Sequence, residues 1–135
     1  MTRILIIDGQ GGRIGRQLAE GLLGIPETEL TVVGTNSLAT GNMLKSGAAN
    51  AATGENAVLV ASRSADIIVG PIGIVIADSL LGEITPAIAA AVGGSRAVKI
   101  LIPVNRCDNI VVGTAELSVS ELIRSAVDTV RQNIG

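Results

Sequence analysis

The sequence predicts a three-layer α/β fold, an open and mostly parallel sheet with helices on both faces, built as a single domain over residues 1–135. Two observations predict it. Short β-branched runs alternate with helix-periodic segments along the chain, without a linker, repeat or break in composition. Phe, Tyr and Trp are absent although 47% of the residues are hydrophobic, so Ile, Val, Leu and Ala must fill the core. Such residues suit buried parallel strands covered by small-faced helices.

The elements follow in order. Arg3 to Ile7 is a short apolar run meeting Asp8-Gly9 and reads as a first buried strand. Arg13 to Gly24 reads as a helix, because Ile14, Leu18 and Leu22 form one stripe and Gly24 and Pro26 stop it. Leu30 to Val33 or Gly34 is a second strand, and Asn36 or Ser37 is placed to cap a helix reaching about Ser46. Gly47 to Thr53 fits either a short strand or a loop, with Thr53 a candidate cap for a helix through Val58 and Leu59 to about Ser64.

Ile67 to Val69 is a third clear strand, broken by Gly70-Pro71-Ile72-Gly73, and Ile74 to Ala77 is expected to begin a buried helix. Thr85-Pro86 starts a helix with a capping hydroxyl and proline at the first helical position, and Gly93-Gly94 ends it. Val98 to Val104 reads as another central strand. The last helix begins at Ser118, where Glu121 completes a capping box and Leu117 and Leu122 have the spacing of a hydrophobic staple. Strand and helix alternating in this way make a Rossmann-like sheet, whose functional crevice is expected at the carboxyl ends of its strands.

Composition narrows the function classes. Ten basic and twelve acidic residues give a net charge of −2, with neither a basic block nor an aromatic platform, which argues against nucleic acid as a partner. One cysteine, Cys107, excludes an internal disulfide and a cysteine-rich zinc site, and no metal ligand set is expected. The longest apolar stretch, Ile67 to Ala77, is interrupted by Gly70-Pro71 and falls short of the ~18 residues of a membrane helix. The expected location is the cytosol.

The strongest local signal is Asp8-Gly9-Gln10-Gly11-Gly12-Arg13-Ile14-Gly15, lying between the first strand and the first helix. A helix N-terminus offers unpaired amides to an anion, and glycine lets backbone approach a phosphate. Its spacing is closer to G-x-x-x-G-x-G than to G-x-G-x-x-G. The former is the turn of short-chain dehydrogenases, but a chain without tyrosine cannot perform their chemistry. No acid follows the second strand, where Thr35, Asn36 and Ser37 stand, so a ribose-binding carboxylate is missing from its usual place. Two readings of the turn remain: a ligand cradle, or a tight connection with Asp8 capping backbone amides.

Other polar residues expected near this edge are Thr35, Asn36, Asn105 and Arg106, with Glu55, Asn56, Asp78 and Glu83 on the segments that follow the strands. Gly41-Asn42-Met43-Leu44-Lys45-Ser46 lacks the glycine before lysine that a P-loop needs. Without histidine, Cys107 has no activating base in the chain, so a cysteine–histidine nucleophile is excluded within one subunit.

Asp8-Gly9-Gln10-Gly11-Gly12, Gly34-Thr35-Asn36-Ser37, Ala52-Thr53-Gly54-Glu55-Asn56, Gly70-Pro71-Ile72-Gly73, Ala77-Asp78-Ser79, Gly82-Glu83-Ile84-Thr85-Pro86 and Pro103-Val104-Asn105-Arg106-Cys107 together resemble the bacterial family catalogued as domain of unknown function 3842. The resemblance spans nearly the whole chain. It implies a small bacterial protein and brings no activity, cofactor or catalytic residue with it.

The expected function is therefore binding of a nucleotide or phosphorylated metabolite, with the reaction and any cofactor unspecified. Its expected contacts are Asp8, Gly9, Gly11, Gly12, Thr35, Asn36, Glu55, Asn56, Asn105 and Arg106 around one concavity. The alternative is a non-catalytic assembly or regulatory subunit, suggested by Ile67 to Ala77 and Ala87 to Val92 as apolar surface beyond core needs. On that ground a homo-oligomer is also expected.

Overall fold

The computed structural model describes residues 1–104, 108–114 and 117–135. Five strands, β1 (Thr2–Asp8), β2 (Thr28–Gly34), β3 (Asn50–Thr53), β4 (Ile67–Pro71) and β5 (Val98–Ile102), form one sheet in the order β3-β2-β1-β4-β5, with every pairing parallel. Helices α1 (Arg13–Leu22), α2 (Ser37–Leu44), α3 (Glu55–Ser64), α4 (Pro86–Gly93) and α5 (Val119–Gln132) connect or follow them. The three-layer open sheet is thus present.

Alternation along β1 shows why both faces are covered. Ile4 and Ile6 enter a core with Leu18 and Leu22 of α1, Met43 of α2 and Ile123 and Val130 of α5. Leu5 and Ile7 enter a second core with Val58 of α3 and Ile88 and Val92 of α4. Successive strand residues point to opposite faces, so one unbroken apolar run supplies both layers. All five residues of β4 are buried.

Several local expectations change. Residues 47–53 resolve into a strand only over Asn50–Thr53, and Thr53 does not cap α3: Gly54 occupies the cap, while the Thr53 hydroxyl lies 2.7 Å from that of Thr40. Ile74 to Ala77 does not start a helix. A single 3₁₀ turn covers Ile72–Val75, after which Asp78, Leu80 and Leu81 take left-handed backbone conformations with φ of 64°, 54° and 56°. Leu80 is buried there against both the second core and the glycine turn, which repays the local cost.

β5 is an edge strand rather than a central one. The apolar segments read as spare surface are mostly core: β4, Ile74, Ile88, Ala89 and Val92 are buried. They give no support to an assembly role. Among the described residues, no helix is long and apolar enough to cross a membrane.

Candidate functional site

In this strand order the chain runs outward from β1 to β3 and then returns to set β4 on the other flank of β1. The strand order reverses between β1 and β4, which opens a crevice at their carboxyl ends. Asp8 ends β1 there, Gly34 ends β2 beside it, and Pro71 ends β4.

Asp8 is 4% exposed, and both its carboxylate oxygens are engaged. Oδ1 accepts the Gly9 amide at 2.8 Å and Oδ2 accepts the Gly15 amide at 2.7 Å. The side chain therefore closes the strand-to-helix turn from inside. Burial pushes its carboxyl above the ordinary value, the two amides pull it back in part, and the negative charge of Glu83 adds a smaller upward push.

The glycines of this turn have different reasons to be glycine. Gly12 has φ of 70°, and a Cβ there would lie 2.5 Å from the Ala39 carbonyl oxygen, so α1 and α2 approach through it. A Cβ at Gly15 would lie 2.8 Å from the Asp8 Cβ. Gly11 differs: its Cβ would have nothing nearer than the Arg13 side chain at 3.8 Å. Internal packing accounts for Gly12 and Gly15 and leaves Gly11 unexplained.

Gly11 borders two clefts. One, of about 420 Å³, is lined by the turn from Asp8 to Ile14 together with Gln17 and Val119. The other, of about 530 Å³, lies toward α2 and includes Arg13, Leu38, Asn42 and Lys45. Neither Arg13 nor Lys45 has an ion-pair partner among the described residues.

Glu83, on the loop between β4 and α4, is the central residue that the sequence did not single out as a contact. Its Oε1 accepts the Thr35 hydroxyl at 2.6 Å, the Asn36 side-chain amide at 2.8 Å and the Gln10 backbone amide at 2.9 Å. Burial, the largest single influence, pushes its carboxyl up, but these three donors together outweigh it and hold the group below its ordinary value. No periodicity or spacing links residue 83 to residues 10, 35 and 36. The only signal was its polarity after a strand.

The expected contacts are thus only partly gathered. Asp8, Gly9, Gly11 and Gly12 line the first cleft, whereas Thr35 and Asn36 line neither cleft and join the turn through Glu83. Asn36 also caps α2 by accepting the Ala39 amide, and its amide donates to the Gln10 carbonyl. Glu55 accepts the Thr85 hydroxyl at the cap of α4, and Asn56 is exposed in the first turn of α3. Asn105, Arg106 and Cys107 lie outside the described residues, although β5 brings the chain to this edge at Ile102.

The family described as domain of unknown function (DUF3842) matches residues 3–135, so the chain belongs to that family. No curated protein matches it.

Proposed function

We propose that this member of the DUF3842 family binds a small phosphate-bearing ligand, a nucleotide or phosphorylated metabolite, at the carboxyl edge of β1, with the phosphate on the glycine turn. Gly11 carries the reading: it is the turn glycine that packing does not require, and it stands between two open clefts at the start of a helix. A phosphate there would meet backbone amides of the first turn of α1, with Arg13 beside it.

Asp8 does not oppose this, because its oxygens face the Gly9 and Gly15 amides and serve the turn itself. Glu83 favours a nucleotide within the class. It delivers to the end of β2 the carboxylate that dinucleotide-binding sheets use for ribose hydroxyls, and among the described residues its three bonds all fall on Oε1, which leaves Oε2 for a ligand hydroxyl. Thr35, Asn36, Glu55, Asn56, Asn105 and Arg106 complete the proposed surroundings.

The test is calorimetric titration and thermal shift with AMP, ADP and inorganic phosphate at up to millimolar concentration, since a ligand that binds only the folded chain raises its stability. AMP or ADP is expected to bind, and Arg13→Ala to weaken that binding by about 1 kcal/mol or more. Gly11→Ala should weaken it while leaving the unliganded protein as stable as before, within about 0.5 kcal/mol. No shift with any of the three probes would overturn the proposal. Equal affinity for AMP and its 2′,3′-dideoxy analogue would remove Glu83 from it.

A further inference from the structure

The two edges of the sheet are not alike. β5 carries Lys99, whose ammonium folds back onto the carbonyls of Gly93 and Ser95, and exposed Arg96 precedes it. Charges of this kind discourage other strands from pairing. β3 has no such guard: Ser46 to Gly54 contains no charged residue and no proline, and each side chain from Asn50 to Thr53 is exposed.

The phase of the ladder fixes which backbone groups of β3 are open. Gly54 donates its amide to the Gly34 carbonyl at 2.8 Å, continuing the register in which Thr53 lies opposite Gly34. In a parallel pair, residues of that parity turn both N–H and C=O toward the neighbour. Gly54, Ala52 and Asn50 therefore face β2, and Ala51 and Thr53 present their N–H and C=O outward.

We infer that β3 pairs with β3 of a second copy of this chain, antiparallel about a two-fold axis, joining the two sheets into one. The outward parity selects the register. Ala51 of one copy faces Thr53 of the other, and the axis repeats the pair, so each exchanges N–H···O bonds in both directions. Ala52 then meets its own symmetry mate on the axis as a non-hydrogen-bonded pair, where Cα atoms approach to ~4.5 Å and a small side chain is needed. Asn50 meets Gly54, and Ala49 meets Glu55, so no like charges face each other. A contact that is its own complement closes at two copies. A second copy is the strand this register fits: an alanine falls on the two-fold axis, and no like charges meet across it.

Sedimentation velocity from micromolar to 100 µM protein tests the inference alongside amide hydrogen exchange. The expected species has twice the chain mass, with the Ala51 and Thr53 amides exchanging at least 10-fold more slowly at high than at low concentration. Ala51→Pro removes an outward N–H and no bond to β2, and is expected to give a folded monomer. Ala52→Arg, at an exposed position, sets two cations together on the axis and should give the same result even where the proline variant fails to fold. A wild-type monomer at 100 µM would overturn the inference, the brevity of β3 then being its own protection. A dimer unchanged by Ala52→Arg would also overturn it.

Discussion

Asp8 and Glu83 are two carboxylates serving one glycine turn, and they sit in opposite electrostatic conditions. Asp8 is buried and accepts two backbone amides, yet burial outweighs them and its carboxyl is held above the ordinary value. Glu83 is much more open and accepts three donors on one oxygen, and it is held below. The number of hydrogen bonds does not alone set the direction; the water each group gives up decides how many it needs. The comparison also separates their tasks. Asp8 fixes the turn to its own helix, whereas Glu83 ties three loops that are distant in sequence.

The largest expected effect follows from that separation. Asp8→Ala strands the Gly9 and Gly15 amides in a buried place and should cost roughly 2–4 kcal/mol, measured by urea unfolding. Glu83→Ala should cost roughly half as much, because water reaches the donors it leaves. Equal losses would break the contrast, for they would mean that burial around Asp8 adds nothing.

The pH dependence sharpens it. Because the folded chain holds the Asp8 proton more tightly than the unfolded chain, that residue's contribution is full below ~4, the ordinary Asp value. It is lost as pH rises through the raised folded value. Glu83 contributes above ~4.3, and its contribution is lost as pH falls through the lowered folded value. Unfolding measured from pH 3 to 7 should therefore show Glu83→Gln removing part of the acid-side loss, and Asp8→Asn removing a decline toward neutral pH. Parallel profiles for wild type and both variants would contradict the opposed directions.

The smallest effect probes the loop that presents Glu83. Leu81 is 92% exposed and left-handed, so it has strain without packing to offset it. Leu81→Gly should raise stability by about 0.5–1 kcal/mol, left-handed backbone costing a side chain ~1–2 kcal/mol and glycine returning part as chain entropy. A destabilised variant would show that Leu81 contributes contacts in solution.

Much of the architecture was readable from the residues because local physics made it so. The stripe of Ile14, Leu18 and Leu22, the Thr85-Pro86 start and the Ser118/Glu121 capping box each lie within a few residues, and the structure contains α1, α4 and α5 there. The glycine turn was legible for the same reason. The turn at residues 74–77 was not legible because an apolar run has the same look in a helix and in a buried turn, and because leucine, which takes left-handed backbone at Leu80 and Leu81, rarely marks such a conformation.

By itself the sequence determined the alternation of elements, the absence of an aromatic core and the place of the turn, because each depends on neighbours along the chain. Only the tertiary structure decided that Glu83 reaches Gln10, Thr35 and Asn36, that Gly11 is spared by packing, and that β3 and β5 form the edges. Those facts depend on the order in which parallel strands lie side by side. That order is set by how two apolar faces are covered at once, a condition on the whole sheet that no local pattern contains.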